Sequence, residues 1–242
     1  MRKAIIWLIL IAIIGGAGYG VYYVRQVQTP DQAAESAMKE SADGVTVEAS
    51  AEGDKIVMRP KEIKAGLIIY PEQRVDYKAY APLARALASQ GVLTIVAHMP
   101  LNIPYLSQNV GDGLKSAYPE IENWYIVGHG VGGQVAASYA STRGSQYKGL
   151  VMLASYSTKD LKASGMKILT IRGTNDYVLD LEKFDENKKN LPSTATEFVI
   201  DGGNHSYFGC YGIQEGDGSP VLTNQEQINQ TVNHIIAFIN QK

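Results

Sequence analysis

The chain has 242 residues, of which 45% are hydrophobic and 19% charged, and this balance suits one sizeable globular domain with a short additional segment. A formal net charge of -2 and a pI near 6.1 indicate no basic surface, so we expect no nucleic-acid partner. The four histidines are scattered and Cys210 is the only cysteine. No zinc-ligand spacing and no disulfide follow from them, and we expect no metal and no other cofactor.

Residues 1–25 are predicted to form a membrane anchor. Arg2 and Lys3 precede an uncharged run over residues 4–24, long enough to cross a bilayer core of roughly 30 Å as one helix. The alternative is a cleaved signal peptide, with the small residues at 15–18 near the cleavage site. The run is long for a signal peptide and lacks a clear A-x-A site. Basic residues at its start favour a cytoplasmic N-terminus and an extracytoplasmic C-terminal domain.

A linker and an edge pair of strands come next. Residues 26–43 are polar and alanine-rich, which predicts a linker or loose helix that lifts the domain off the membrane. The domain itself is expected over residues 44–242. Its first segments, Val45–Glu48 and Lys55–Met58, are separated by Gly53 and Asp54 and predict an antiparallel pair.

Continuous apolar runs then alternate with helix-forming segments. Such runs are typical of strands that are buried on both faces of a parallel sheet. They predict strands at 66–70, 93–97, 123–128, 149–154, 167–171 and 197–200, and helices at 76–90, 110–117, 134–142, 181–190 and 225–239. The alternation predicts the α/β class, with a mostly parallel sheet flanked by helices.

A tight turn follows the strand at 123–128. The stretch Gly128-His129-Gly130-Val131-Gly132 lies between this strand and a small-residue helix, which is the context of the nucleophile elbow, G-x-S-x-G. Glycine stands at the position of the serine. A non-glycine residue at such a turn stores about 1–3 kcal/mol of backbone strain, which glycine avoids because it has no Cβ. We expect Gly130 to keep the turn and to remove the attacking hydroxyl.

Asp176 and His205 follow the elbow in the order acid, then histidine. Asp176 follows the strand at 167–171, and His205 follows the strand at 197–200. Open α/β sheets place their sites at the carboxyl ends of their strands. Elbow, acid and histidine, in this order, form a triad in which the acid orients the histidine and the histidine accepts the proton of the nucleophile.

With these residues the chain resembles the α/β-hydrolase superfamily, and within it a group of compact bacterial, dienelactone-hydrolase-like members. The resemblance covers nearly all of the chain from about residue 45 to the end, and the segments that carry it are Tyr70-Pro71, Val75-Asp76, 79–84, 99–102, the elbow, 173–176, 202–205 and Phe208-Gly209. It implies that Asp176 is the triad acid, that His205 is the triad base and that Gly130 is a vacant nucleophile position.

The resemblance also implies an oxyanion hole. Its first donor would be the backbone N–H of Val131, and its second would come from the turn at Glu72-Gln73, where the family tends to have glycines. The chain therefore departs from the family at two catalytic places, which favours natural drift over engineered inactivation. Loss of one oxyanion donor typically costs about 10²–10³ in rate, and loss of the nucleophile leaves roughly 10³–10⁴-fold catalysis over water.

Three other interpretations of single motifs are weaker. Gly128-x-Gly130-x-x-Gly133 fits a dinucleotide fingerprint, but the next strand is not followed by the required acidic residue until Asp160. Cys210 lies on the loop of His205 and not on the elbow, so an inert thiol is favoured over a substitute nucleophile. His129 is expected to pack or to bind backbone.

The sequence thus predicts an α/β-hydrolase-fold protein of esterase or acyl-hydrolase descent with an impaired or absent covalent mechanism. A small ester or acyl compound is the expected ligand. Two alternatives stay open. His205 and Asp176 could activate a water for direct hydrolysis, a form of general-base help worth about 10²–10⁴-fold. Alternatively, the domain is a non-enzymatic module that binds a ligand or a partner.

Overall fold

Eight strands of the described chain (residues 2–39, 45–49 and 55–241 of this computed structural model) form one sheet. In chain order they are β1 (Thr46–Ala49), β2 (Lys55–Arg59), β3 (Ala65–Tyr70), β4 (Val92–Ala97), β5 (Trp124–His129), β6 (Gly149–Leu153), β7 (Lys167–Gly173) and β8 (Thr196–Ile200). Their spatial order is β1-β2-β4-β3-β5-β6-β7-β8. Strands β3 to β8 run parallel, and β1 and β2 are the predicted antiparallel pair at one edge.

Helices connect the strands and cover the sheet. Within the described residues they are α1 (Arg2–Arg25), α2 (Gln32–Ala37), α3 (Ala81–Ser89), α4 (Val110–Ser116), α5 (Gly130–Ser141), α6 (Leu181–Asn187) and α7 (Asn224–Asn240). Asp76 caps a short 3₁₀ turn that precedes α3, and Pro82 lies in the first turn of α3, so the helix predicted at 76–90 is divided in two. Thr223 and Glu226 form a capping box that begins α7.

The two faces of the sheet bury separate apolar clusters. Side chains alternate between the faces along β3, where Leu67 and Ile69 belong to one cluster and Ile68 to the other. Helices α3 and α7 pack on the first face, and α4 and α5 contribute Leu114 and Val135 to the second. The predicted mostly parallel sheet flanked by helices is confirmed.

The segment predicted as a spacing linker packs against the domain where it is described. Gln28 forms a β-bridge with Val75, and the N–H of Asp31 donates to the carbonyl of Cys210 over 2.9 Å. The described part of this segment thus contains the short helix α2 and contacts the domain, and its role as a spacer stays a prediction. Backbone groups that the domain leaves unpaired at its surface bind the segment.

Helix α1 contains the residues predicted as a membrane anchor. Among the residues that the structure describes, no helix is long and apolar enough to qualify as a membrane span. Three parts of the sequence-based prediction lie outside the described residues: the end of the linker at 40–43, Gly44 at the start of the domain, and the turn at Gly53 and Asp54.

Candidate functional site

The turn between β5 and α5 has the geometry of a nucleophile elbow. Strand β5 ends at His129, and Gly130 begins α5 with a φ of +49°, in the left-handed region. A Cβ on Gly132 would lie 2.0 Å from the carbonyl oxygen of Pro71, so this neighbour must also be glycine. The sequence-predicted turn is present, and its glycines let the end of β3 pass close to the start of α5.

The side chain of Glu72 fills the space beside Gly130. A Cβ built on Gly130 would lie 1.2 Å from Glu72 Oε2, so a serine side chain and this carboxylate cannot both occupy the site. Glu72 is only 8% exposed although it carries a carboxylate. The two departures from the family pattern are therefore one structural feature, because the absence of a side chain at 130 makes the room that the carboxylate at 72 occupies.

The same carboxylate uses the expected oxyanion donors. The Val131 N–H donates to Glu72 Oε2 over 3.0 Å, and the Gln73 N–H donates to Glu72 Oε1. The backbone N–H of Glu72 donates to the hydroxyl of Tyr80 over 3.0 Å. The Glu72 side chain therefore accepts from the expected donors at Val131 and Gln73, and the N–H of Glu72 itself has an internal acceptor.

Asp176 and His205 meet as the sequence predicts. His205 Nδ1 lies 3.2 and 3.1 Å from the two carboxylate oxygens of Asp176. Asp176 is held in turn by the N–H groups of Val178 and Leu179, which donate to its Oδ1. On the other side of the ring, His205 Nε2 lies 3.4 Å from Glu72 Oε2. The imidazole therefore lies between two buried carboxylates, beside the elbow.

This arrangement keeps His205 protonated. Burial disfavours the charged imidazolium, but the hydrogen bonds and negative charges of Asp176 and Glu72 outweigh it and raise the pKa of His205 from 6.5 to about 10. A histidine that carries a proton at neutral pH cannot accept one from a nucleophile or a water. Each ring nitrogen of His205 thus faces a carboxylate, Nδ1 that of Asp176 and Nε2 that of Glu72.

His129 lies beneath the same site and is completely buried. Its Nδ1 is 2.8 Å from the Tyr80 hydroxyl, and its Nε2 has no partner within hydrogen-bond geometry. Burial lowers the pKa of His129 well below 6.5; the charge of His205 lowers it further, and the His205 backbone opposes this in part. The rings of His129 and His205 lie 4.5 Å apart, centroid to centroid.

The spacing of Glu72, His129 and His205 along the chain does not indicate a cluster, because their positions are far apart in the sequence. In the described part of the chain these three form the one group of potential metal ligands whose donor atoms lie within 4.8 Å of one another. A usable signal existed: each residue lies at or just after the carboxyl end of a parallel strand, where neighbouring strands bring their ends together. The expectation of no metal rested on sequence spacing alone.

A cleft of about 880 Å³ opens over the site. Glu72, Gly130, Val131 and His205 line its floor. The end of α1 also lines the cleft, through Tyr22 and Arg25. Among the described residues that line it, five are glutamines: Gln26, Gln28, Gln73, Gln134 and Gln214. The described lining also includes six acidic or basic side chains, so the cleft combines neutral hydrogen-bonding groups with charged ones: Arg25, Glu72, Arg74, Asp180, His205 and Glu215.

Cys210 is not part of this cleft. Its thiol is buried, and the burial raises its pKa to about 12. The sulfur lies 2.7 Å from Asn224 Oδ1, at the start of α7. A protonated thiol with this environment is a poor nucleophile, which agrees with the expectation of an inert side chain.

Comparisons with known proteins agree with this fold. No curated protein matches the chain significantly. Among solved structures, the chain is similar to a predicted CIB-like hydrolase from Thermoplasma acidophilum, with 13% identity, a TM-score of 0.58 and coverage of 79% of this chain and 99% of that one. It is also similar to a "Putative Dienelactone Hydrolase" from Klebsiella pneumoniae, with 16% identity, a TM-score of 0.59 and coverage of 82% and 98%.

A third similar structure is Est1E from Butyrivibrio proteoclasticus, with 14% identity, a TM-score of 0.58 and coverage of 82% of this chain and 100% of that one. At such identities these likenesses establish the fold alone. The sequence profile of the alpha/beta hydrolase family matches residues 66–229, which is more than half of the chain. The chain therefore belongs to the alpha/beta hydrolase family.

Proposed function

We propose that this protein binds a small ligand in the cleft and lacks serine-type acyl transfer. One observation carries the proposal: the Glu72 carboxylate occupies the place of a side chain at Gly130, with Oε2 1.2 Å from where a Cβ would be. The proposal follows the sequence-based expectation of an esterase-descended domain with an absent covalent mechanism. It adds a physical cause. The Glu72 carboxylate fills the space of a side chain at Gly130, accepts from the Val131 N–H and lies beside His205 Nε2.

Acyl transfer needs a nucleophile, a neutral histidine and free oxyanion donors. Gly130 has no hydroxyl, the pKa of His205 is raised to about 10, and the Val131 N–H donates to Glu72. A hydrolase that loses only its nucleophile keeps roughly 10³–10⁴-fold catalysis over water, through the oxyanion hole and binding. Each occupied oxyanion donor lowers that remainder by about 10²–10³. We therefore expect no measurable esterase activity.

Hydrolysis by an activated water is a weaker candidate. It requires a neutral His205, and a pKa of about 10 leaves roughly one molecule in a thousand neutral at pH 7. General-base help is worth about 10²–10⁴-fold, so most of the gain is lost to this protonation. Glu72 also lies on the Nε2 side of the ring, where the water would have to bind.

The lining of the cleft favours a ligand with polar and apolar parts. The glutamine side chains offer both donors and acceptors. Beside the elbow, Val131, Ala154, Val178 and Leu179 supply apolar surface. A compound with a short acyl chain and an amide- or hydroxyl-bearing remainder matches both regions. This assignment retains the expected acyl ligand and places its polar group against the glutamines.

Two assays test the proposal. A fluorophosphonate probe should not label the wild-type protein, and short-chain nitrophenyl esters should not be turned over. Turnover without labelling, abolished in His205→Ala, would instead establish the activated-water mechanism. Labelling of the wild type would show an unrecognised nucleophile and would contradict the proposal.

Ligand binding needs its own measurement. A thermal-shift screen of short acyl amides and esters should identify compounds that raise the melting temperature. Gln134→Leu, in the cleft, should weaken the binding of any such compound. Gln225→Leu, at the exposed start of α7, is the matched control and should bind as the wild type does. Equal affinity of the two variants would place the ligand elsewhere.

The membrane attachment and extracytoplasmic location predicted from residues 1–25 stay predictions and do not enter this proposal. Carbonate extraction of membranes tests the attachment, and protease accessibility in intact cells tests the side on which the domain lies. Recovery in the soluble fraction would contradict the first prediction.

A further inference from the structure

We propose that Glu72, His129 and His205 form a binding site for one divalent transition-metal ion, such as Zn²⁺, at the floor of the cleft. This inference goes beyond the proposed function, because the metal ion can bind whether or not the cleft holds an organic ligand. Two imidazoles and one carboxylate are a ligand set that proteins use for zinc sites with an open fourth position. The residues come from the end of β5, the loop after β3 and the loop after β8.

The distances suit such an ion. Zinc binds imidazole nitrogen at about 2.0–2.1 Å and carboxylate oxygen at about 2.0–2.2 Å, so two ligands in a tetrahedral arrangement lie about 3.4 Å apart. His205 Nε2 and Glu72 Oε2 are 3.4 Å apart. The donor atoms of all three residues lie within 4.8 Å of one another, so at most about 1.4 Å of approach brings any pair to the tetrahedral spacing.

His129 supplies an independent indication. Its Nε2 is fully buried and has no partner within hydrogen-bond geometry, although such an atom normally has one; the polar interactions of the ring are with Tyr80 and with the backbone of His205. The Tyr80 hydroxyl oxygen has two lone pairs, so it can accept from the N–H of Glu72 and also from Nδ1–H of His129. In that tautomer Nε2 carries a lone pair, and a bound metal ion would satisfy it.

Residues around the cluster resemble the supporting shell of a metal site. A metal-bound histidine usually donates its other ring N–H to a carboxylate or another oxygen, which fixes its orientation. Asp176 does this for His205 at 3.1 Å, and Tyr80 does it for His129 at 2.8 Å. The remaining nitrogen of His205 faces Glu72 at 3.4 Å, and that of His129 has no partner within hydrogen-bond geometry.

Binding of the ion would replace the proton on His205 Nε2, which leaves to solvent. Glu72 and His205 also line the cleft, so the open coordination position can take a water or an oxygen of a ligand. The chemical class of that ligand is then an oxygen donor such as a carboxylate or an amide carbonyl.

The test uses the full-length protein after treatment with a chelator, titrated with Zn²⁺ against a chromogenic chelator. We expect one ion per chain. His129→Gln should weaken the affinity by about 100-fold or more, and Asp176→Asn by about 10–100-fold through the supporting shell. His234→Gln is the matched control, because His234 stacks on Phe198 away from the cluster, and it should change the affinity less than twofold.

A second measurement needs no variant. Co²⁺ in the wild-type protein should give visible absorption typical of tetrahedral nitrogen and oxygen ligation, and Zn²⁺ should abolish it. Should His129→Gln fail to fold, the near-isosteric Glu72→Gln takes its place with the same expected loss. Absence of one-to-one binding, or equal affinity in the wild type and the ligand variants, would overturn the proposal. Neither result affects the ligand and esterase assays, which are done without metal.

Discussion

A serine introduced at position 130 should not by itself give the protein acyl-transfer activity. In Gly130→Ser the new Cβ would lie 1.2 Å from Glu72 Oε2, at a backbone φ of +49°. The strained backbone costs about 1–3 kcal/mol. Displacement of the carboxylate from the Val131 N–H loses a charged hydrogen bond worth about 1.5–3 kcal/mol. The sum, roughly 2.5–6 kcal/mol, is a large part of the 5–15 kcal/mol that typically stabilises a domain.

The second substitution removes the obstacle. In Glu72→Gly/Gly130→Ser the clash is absent, the Val131 N–H is free, and the pKa of His205 loses one of the two carboxylates that raise it. We expect Gly130→Ser to be destabilised and unlabelled by a fluorophosphonate probe, and the double variant to be labelled and to hydrolyse short nitrophenyl esters. The stability cost of serine should be smaller by at least about 1.5 kcal/mol when Glu72 is already glycine.

Urea unfolding measures the stability of four proteins, and probe labelling measures their reactivity: the wild type, both single variants and the double variant. Glu72→Gly alone is the matched control, since it frees the N–H without adding a nucleophile and should remain unlabelled. Labelling of Gly130→Ser equal to that of the double variant, or stability effects that simply add, would refute the steric coupling between the two positions.

Two further predictions concern stability. Because the pKa of His205 is raised from 6.5 to about 10, the folded state holds a proton that the unfolded chain releases. The free energy of unfolding should therefore fall as pH rises from about 6.5 to 10, by at most ~1.4 kcal/mol per pH unit. Chemical denaturation between about pH 6.5 and 9 measures this slope, and an equally steep slope in Glu72→Gln would contradict the assigned cause. Gly132→Ala should destabilise the protein by more than about 3 kcal/mol, because its Cβ would lie 2.0 Å from the Pro71 carbonyl, whereas Gly113→Ala, with nothing within 4 Å, should be neutral or stabilising by up to about 1 kcal/mol. Thermal denaturation compares these two variants, and similar effects would argue against the close approach of β3 and α5.

The fold could be predicted because its signals are local. The apolar run that became β3 and the glycine pattern after β5 report burial and backbone geometry within a few residues. The ends of helices were harder to predict. The segment after Asp76 has a helical composition, but it begins with a 3₁₀ turn that precedes Pro82 and α3. The contacts of the linker could not be predicted, because polar composition does not reveal backbone contacts such as those of Gln28 and Asp31.

The sequence predicted the individual residues of the candidate site but not the contacts between them. Chain order pointed to Asp176 and His205, and each departure at Glu72 and Gly130 was visible alone. The sequence could not show that the Glu72 side chain points back to Gly130, because that contact depends on how β3 and β5 lie side by side. The partners of His129 were hidden for the same reason.

A crystal structure of the wild-type protein tests the central claim most directly. The account predicts Glu72 Oε2 about 3.0 Å from the Val131 nitrogen and about 3.4 Å from His205 Nε2, in the space beside Gly130. Density that places the Glu72 carboxylate out in the cleft, with the Val131 N–H open to solvent and His205 paired with Asp176 alone, would contradict it.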